Sequence, residues 1–215
     1  MSTTIYLIRH GQSLANAQGI FLGQGDLDLS QLGIAQACKT ADYLKNHVGR
    51  PDAIYASDLK RAYNTGKATA DQFAMPITKD QNLREIDAGK WCCVPFSDLQ
   101  VQFPETYSRW MHDIGNSHCD GGESVAQLQN RVVGAVTRIA KAHENSTVFL
   151  FTHATPIRVF AAHCLNKTLD GIKDIPWGAN ASVTKVIYHD GAFQLTEYSR
   201  DDFMQDLVTA LPANV

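Results

Sequence analysis

The chain alternates short apolar runs with longer stretches in which apolar residues recur every three or four positions. Three runs of strand length carry few polar side chains, and they occupy residues 3–8, 53–56 and 147–152. An apolar run of this kind is typical of a parallel strand that is covered on both faces. Near the C-terminus, Asp190-Gly191 separates two further strand-like runs, which predicts a β-hairpin over residues 183–189 and 192–198.

Three stretches between these runs have helical periodicity. The first is predicted to begin at Ser30 as its N-cap and to continue to about His47. The second is predicted to begin at Ser57 as its N-cap, and the third runs from Ser124 to about Ala142. The apolar face of the first comprises Ile34, Ala37, Ala41 and Leu44, and that of the second comprises Leu59, Ala62, Gly66, Ala70 and Phe73.

Alternating strands and helices predict one α/β domain over residues 1–215. Pro156 fits the first turn of a further helix behind the third apolar run. The expected fold is a three-layer α/β/α sandwich with a mainly parallel central sheet and one antiparallel edge strand. A lid-like insertion is expected near 91–119, and its large side chains would either wall a substrate site or pack on the domain. They are Phe96, Phe103, Tyr107, Trp110 and Met111.

Composition narrows the classes of partner. Hydrophobic residues make up 44% of the chain and charged residues 19%, which favours a solid core over global disorder. The formal net charge of −3 lacks the basic excess that nucleic acid or an anionic membrane would require. No apolar run approaches the ~20 residues that span a bilayer, and the opening Met-Ser-Thr-Thr lacks the features of a signal peptide. We therefore expect neither a nucleic-acid nor a membrane partner.

The five cysteines form neither a CxxC pair nor a zinc-binding spacing. They are Cys38, Cys92, Cys93, Cys119 and Cys164. An odd count argues against a disulfide framework, and the adjacent Cys92 and Cys93 have poor geometry for an ordinary structural bridge. Reduced thiols in a cytoplasmic protein are therefore the expectation.

Cationic side chains follow each of the three predicted parallel strands. Arg9 and His10 follow the first strand, Arg61 lies one turn into the helix behind the second, and His153 follows the third. The carboxyl ends of parallel strands share one edge of a sheet, where helix N-termini also favour anions. Buried cations are costly unless an anion compensates them, and guanidinium groups bind phosphate oxygens in bidentate fashion. The pattern predicts a phosphate pocket, in which His10 would attack phosphorus and the other three side chains would hold the phosphoryl oxygens.

The leaving oxygen of such a reaction needs a proton donor. The segment 83–89 carries Glu85 in a predicted loop, where a carboxyl group beside a partly dry pocket can stay protonated. Asp87 and Glu123 are weaker candidates. Glu123 either caps the helix that starts near Ser124, where a carboxylate favours the helix dipole, or lies beside the pocket.

Ordered segments along nearly the whole chain resemble the signature of the histidine phosphatase superfamily, also called the phosphoglycerate-mutase-like family. They are LIRHGQS at 7–13 with Asn16, SDLKRA at 57–62, LREIDAGKW at 83–91, GGES at 121–124, THATPIR at 152–158 and NAS at 180–182. The resemblance implies that His10 becomes the phosphohistidine and that Glu85 is the proton donor. The phosphate pocket would be completed by Arg9, Arg61 and His153. Asn16 is similar to an accessory phosphate ligand of the family, and we expect Gln24 to bind substrate as well.

The resemblance also implies that no metal ion or other cofactor is needed. Two departures from the family pattern concern the surroundings of the pocket. Ala154 and Thr155 follow the second histidine where many relatives carry two glycines, and Cys92 and Cys93 stand where Glu-Gly is common. The first changes a loop beside the pocket, and the second affects the side that meets the substrate.

Hydrolysis and mutase chemistry share this pocket. A mutase needs a second set of cationic contacts, whereas the stretch between Glu85 and Glu123 holds only Lys90 and Arg109 as cations. We therefore expect a phosphatase that acts on a small phosphomonoester. The alternatives are a cofactor-dependent phosphoglycerate-mutase-type transfer, a non-catalytic phosphate-binding protein on the same fold, and a metal-dependent hydrolase, whose cation the arginines would repel. An edge strand also allows a homodimer.

Overall fold

The computed structural model describes residues 2–209 and places a six-stranded sheet at the centre of that part of the chain. Its strands are β1 (Ser2–Arg9), β3 (Ala53–Ala56), β4 (Thr78–Lys79), β6 (Thr147–Thr152), β7 (Val183–His189) and β8 (Ala192–Arg200). A separate short pair is formed by β2 (Ile20–Phe21) and β5 (Val94–Pro95). The order across the central sheet is β4-β3-β6-β1-β7-β8.

Four neighbouring strands of this sheet are parallel. β1 pairs with β6, β6 with β3 and β3 with β4, all in the same direction. The hairpin supplies the antiparallel part, because β7 runs against both β1 and β8. Asp190 and Gly191 take positive φ angles of 50° and 84°, as a two-residue hairpin turn requires. The predicted mainly parallel sheet with an antiparallel edge is confirmed, and the outermost strand is the second strand of the hairpin.

Helices cover both faces of the sheet. A short helix, α1 (Leu14–Gln18), follows β1, and the long helices are α2 (Gln31–His47), α3 (Lys60–Phe73), α6 (Val125–Ala142) and α7 (Ala154–Cys164). Alternate strand residues enter two cores: Ile8 and Phe149 pack with α2 and α3, whereas Leu7 and Val148 pack with α6 and α7. The predicted three-layer α/β/α sandwich is therefore confirmed. Among the helices of residues 2–209, none has both the length and the apolar character that crossing a bilayer demands.

Two details of the helices differ from the prediction. Ser57 does not cap α3, which begins at Lys60, because the Ser57 hydroxyl is bonded to His153 instead. Ile34 is 47% exposed although it was expected on the buried face of α2. The reason is that Gly33 takes the contact face: a Cβ there would lie 2.0 Å from the carbonyl oxygen of Gln12. The predicted cap Ser30 is confirmed, and α6, which was predicted from Ser124, begins at Val125 with Ser124 as its cap.

Residues 91–119 contain two short helices, α4 (Phe96–Gln102) and α5 (Pro104–His112), which pack against the larger core. Trp91 is fully buried at its centre, with its ring 5.4–5.9 Å from the rings of Phe21, Tyr107 and Trp110. Phe96 and Trp110 reach the cleft described below. The segment thus both packs on the domain and contributes a wall, whereas Met111 is exposed. Its opening and closing as a lid stays a prediction.

Candidate active site

The carboxyl ends of β1, β3 and β6 meet at one edge of the sheet and border a cleft. A cleft with apolar walls and a few convergent polar groups suits a small molecule. Five of the predicted site residues line it, and they are Arg9, His10, Asn16, Arg61 and Glu85. The ring of His153 lies directly behind, with its centroid 5.0 Å from that of His10. The structure therefore brings the predicted constellation together from distant parts of the chain.

The main chain holds His10 in one tautomer. Its Nδ1 lies 2.7 Å from the carbonyl oxygen of Gly11, and because a carbonyl can only accept, Nδ1 carries the proton and donates it. Nε2 then keeps its lone pair. Burial, followed by the positive charges of Arg61 and Arg9, lowers the pKa of His10 well below 6.5. A neutral imidazole with a free Nε2 has the properties of a nucleophile.

The turn behind His10 requires a glycine. A Cβ on Gly11 would lie 2.4 Å from the carbonyl oxygen of Gly33. The turn of residues 10–13, called the phosphate loop below, therefore approaches α2 too closely for any side chain at position 11. The Gly11 N–H donates to Thr65 Oγ1 at 3.0 Å, and Thr65 Oγ1 donates to the carbonyl oxygen of Arg61 at 2.7 Å. Thr65 therefore ties the loop that follows His10 to the helix that carries Arg61.

Two buried guanidinium groups give the cleft a positive charge. Arg61 is anchored by donating to the carbonyl oxygens of Gly25 at 2.8 Å and Gly23 at 2.7 Å. Arg9 donates to the carbonyl oxygen of Gly178, while its Nε is buried with no hydrogen-bond partner in residues 2–209. Burial lowers the pKa of both arginines to about 10, so both stay charged at neutral pH. An anion in the cleft would offset the cost of burying them.

His153 is oriented by Ser57. The Ser57 Oγ accepts from the Leu59 N–H at 3.3 Å and lies 2.9 Å from His153 Nε2, so its own hydrogen is free to be donated to that nitrogen. When Ser57 donates, the imidazole proton of His153 is on Nδ1, which is buried without a partner among the described residues. Burial and then the charge of Arg61 lower the pKa of His153 well below 6.5. A neutral ring in this tautomer can donate one hydrogen bond to a phosphoryl oxygen.

Ser57→Ala is expected to lower kcat/KM for phosphomonoester hydrolysis about tenfold or more, because His153 loses the donor that fixes its tautomer. Steady-state kinetics with p-nitrophenyl phosphate check this. Ser146→Ala removes a hydroxyl from the surface and should leave kcat/KM unchanged. A folded Ser57→Ala variant with wild-type kcat/KM would contradict the orienting role.

Glu85 lines the cleft from the loop that follows the 3-10 turn Gln81–Leu83. Its Oε1 accepts from the Ile86 N–H at 2.8 Å, and its Oε2 accepts from the Thr155 N–H at 3.3 Å. The carboxylate is thus held at the start of α7. It is the one acidic residue among those that line the cleft.

The loop of Glu85 is fixed by a single arginine outside the cleft. The Arg131 guanidinium donates to the carbonyl oxygens of Asn82, Arg84 and Glu85 at 2.9, 3.0 and 3.3 Å. Glu123 forms an ion pair with Arg131 at 2.8 Å. Glu123 therefore fills neither role weighed for it, since Ser124 caps α6 and the carboxylate is turned to Arg131. We call these contacts the Arg131 clamp.

The two predicted accessory residues have different surroundings. Asn16 lines the cleft, and its Oδ1 accepts from Ser13 N–H at 3.1 Å and from Asn180 Nδ2 at 3.3 Å. These bonds leave the NH₂ group of Asn16 for a phosphate oxygen. Gln24 Nε2 instead donates to the carbonyl oxygen of Glu85 at 3.2 Å. Substrate binding by Gln24 stays a prediction, and its contact in this structure supports the Glu85 loop.

The outer wall of the cleft is aromatic. Phe21 lies 5.7 Å from Phe96 and 5.4 Å from Trp110, measured between ring centroids, and Trp177 stacks on Trp110 at 6.4 Å. Arg158 packs against Trp177, with its guanidinium 4.2 Å from the ring centre, and so supports the aromatic wall. Sequence reasoning missed Trp177 because it lies in an irregular stretch with no periodic pattern.

Comparisons with known proteins agree with this geometry. A model of the histidine phosphatase superfamily (branch 1) matches residues 5–201. Phosphoserine phosphatase 1 of Hydrogenobacter thermophilus is 33% identical over 185 residues, which cover 86% of this chain and 85% of the relative. The metal-independent phosphoserine phosphatase of Arabidopsis thaliana is 34% identical over 158 residues, covering 73% of this chain and 66% of the relative.

A solved structure extends the likeness to the fold. The mycobacterial glucosyl-3-phosphoglycerate phosphatase Rv2419c in complex with VO3 superposes with a TM-score of 0.84 and 27% sequence identity. The match covers 92% of this chain and 99% of that one.

Proposed function

Because this chain belongs to the histidine phosphatase superfamily, we propose that it hydrolyses small phosphomonoesters through a phosphohistidine at His10, without a metal ion. The relatives named as phosphatases support the class of enzyme, a phosphoric monoester hydrolase. The observation that carries the rest is the neutral, tautomer-locked His10 beside two buried guanidinium groups. The positive charge of Arg9 and Arg61 would repel a metal cation from the same cleft.

In the proposed first step, His10 Nε2 attacks phosphorus, so that a P–N bond forms while the bond to the leaving oxygen breaks. The guanidinium groups of Arg9 and Arg61 stabilise the charge on the equatorial oxygens, and His153 Nδ1 donates a hydrogen bond. Glu85 gives a proton to the leaving oxygen. The second step, described next, returns a proton to Glu85, so that the proton balance closes over one turnover.

In the proposed second step, the Glu85 carboxylate takes a proton from water as the water oxygen attacks phosphorus. The P–N bond breaks, inorganic phosphate forms and His10 returns to its neutral state. The side chains that hold the phosphoryl oxygens, Arg9, Arg61 and His153, are called the cage. The cage serves both steps without moving, because the phosphoryl oxygens stay in place while the attacking atom changes from His10 Nε2 to the water oxygen.

The lining of the cleft favours hydrolysis of a substrate with an apolar or ring-bearing alcohol. Beyond the cage, the wall is built from Phe21, Phe96, Trp110 and Trp177, and the cations among the lining residues are Arg9 and Arg61 alone. A mutase must hold a second phosphate, which would find no further cation in this lining. A bare carboxylate against aromatic rings would likewise lose solvation without gaining a partner.

A substrate panel in excess EDTA tests the proposal. Benzyl phosphate and glycerol 3-phosphate both release a poorly acidic alcohol, so they differ mainly in the ring. We expect phosphate release from both to persist in EDTA, with kcat/KM about tenfold or more in favour of benzyl phosphate, the gain for burying a ring. Trp110→Ala should reduce that preference.

Three outcomes count against it. Complete loss of turnover in EDTA would favour a metal-dependent hydrolase. Interconversion of 3- and 2-phosphoglycerate faster than phosphate release would favour a mutase, and tight phosphate binding without turnover would favour a non-catalytic protein.

A cytoplasmic location and a homodimer remain predictions, the former supported by five free thiols.

A further inference from the structure

Cys92 and Cys93 lie outside the proposed catalytic machinery, and both side chains are exposed. Their sulfur atoms are 3.6 Å apart. Cys93 has a φ of 65°, a conformation that few residues other than glycine adopt, and its N–H donates to the carbonyl oxygen of Phe21 at 2.9 Å. The chain therefore presents a fixed pair of thiols at its surface.

The geometry does not suit a disulfide between these two residues. A disulfide needs sulfurs ~2.05 Å apart and Cα atoms ~4.4–6.8 Å apart, whereas adjacent Cα atoms across a trans peptide are ~3.8 Å apart. Two sulfurs that share one bound atom at ~2.3 Å each, the length of a zinc–sulfur bond, lie about 3.5–3.8 Å apart at pyramidal to tetrahedral angles. The observed separation is an S–H···S contact between two free thiols, and it matches the spacing that a one-atom bridge would need.

We propose that Cys92 and Cys93 form a binding site for trivalent arsenic that carries one organic or hydroxyl group. Such an atom needs two sulfurs, because its third bond is already made. A structural zinc ion needs four ligands, and residues 2–209 contain no group of three or more His, Cys, Asp or Glu that could hold a metal ion. The site is therefore suited to a ligand that two thiols satisfy.

Binding of phenylarsine oxide, a probe of this class, balances without an oxidant. Each thiol gives up its hydrogen, two sulfur–arsenic bonds form, and the arsenic–oxygen bond breaks so that its oxygen leaves as water. Arsenic stays trivalent throughout. Burial and the neighbouring Cys93 thiol raise the pKa of Cys92, which keeps that sulfur protonated at neutral pH and poorly reactive toward oxidants.

The dithiol is connected to the cleft. The Cys92 S–H donates to the carbonyl oxygen of Leu22 at 3.4 Å, and both Phe21 and Leu22 line the cleft. The carbonyl oxygen of the following residue, Gly23, accepts a hydrogen bond from the Arg61 guanidinium. Because the adduct removes the S–H donor, we expect KM for p-nitrophenyl phosphate to rise by up to about fivefold, the full factor for one neutral hydrogen bond. This coupling rests on the proposed function, whereas the binding itself does not.

Intact-mass spectrometry after one equivalent of phenylarsine oxide tests the site. We expect one adduct on the wild type and on Cys38→Ser, which removes the other exposed thiol. We expect none on Cys92→Ser or on Cys93→Gly, and the latter suits the left-handed backbone and so guards against misfolding. Dithiothreitol should remove the adduct, whereas a monothiol at equal thiol concentration should not.

Several results would overturn the proposal. These are no adduct on the wild type, an adduct that persists in either pair variant, or loss of two hydrogens in place of the adduct. An unchanged KM in fully labelled enzyme would overturn the coupling to the cleft. If the wild type hydrolyses no phosphomonoester, the proposed function fails while the mass measurement still decides the arsenic site.

Discussion

His10→Ala should lower kcat for p-nitrophenyl phosphate by about 10⁴-fold or more, because the reaction loses the atom that forms the covalent intermediate. The arginines and His153 would still bind the phosphate, so the loss should fall on kcat rather than on KM. Rapid quenching of the wild type during turnover should trap phosphate that is labile to acid and stable to alkali. Peptide mapping should place it at position 10.

His112→Ala is the matched control, since that imidazole is exposed and bonded to the carbonyl oxygen of Ser108 on its own helix. It should keep wild-type kinetics and the trapped phosphate. A His10→Ala enzyme that retains substantial turnover would remove the nucleophile from the mechanism. So would a wild-type enzyme that turns over rapidly but never carries phosphate at position 10.

Glu85→Gln should impair the release of poorly acidic alcohols far more than that of p-nitrophenol. Benzyl alcohol must be protonated as it leaves, so kcat for benzyl phosphate should fall by about 10²–10⁴-fold. p-Nitrophenolate leaves without a proton, and its kcat should fall less than about tenfold. The amide oxygen of glutamine can still accept a hydrogen bond from the Ile86 or Thr155 N–H, so the backbone around the cleft keeps a polar partner.

Asp87→Asn provides a control with the same change of charge in the same loop. Asp87 Oδ1 accepts from the Gly89 N–H at 3.0 Å and so supports the chain rather than the cleft. Its loss should affect both substrates equally and mildly. Equal losses on both substrates in Glu85→Gln would exclude Glu85 as the acid, and a leaving-group effect in Asp87→Asn would move the role there.

The sequence predicts the fold well where one physical signal dominates. Buried parallel strands need uninterrupted apolar runs, and the Asp190-Gly191 turn needs positive φ, so both are visible in the residues themselves. The exposed Ile34 shows the limit. Periodicity alone cannot reveal that Gly33 lets α2 approach the phosphate loop and so sets which face is buried.

The candidate site also has parts that the sequence predicts and parts that it does not. Residues at strand ends are predictable because topology fixes that edge, which is why His10 and His153 are found together. Ser57 is wrongly predicted as a cap because its hydroxyl is bonded to His153, 96 residues further along the chain. Thr65 was not proposed although it lies one helical turn beyond Arg61, a spacing that could have indicated a shared face. Trp177 offers no comparable signal.

The Arg131 clamp separates the rate of this enzyme from its selectivity. One side chain outside the cleft holds the loop of Glu85, the proposed proton donor, through three main-chain carbonyls, while the aromatic wall that lines the cleft is built elsewhere. Variation at position 131 can therefore change turnover, most of all for substrates with poorly acidic leaving alcohols, without altering the aromatic wall. Turnover and substrate preference can therefore evolve through different residues of the same fold.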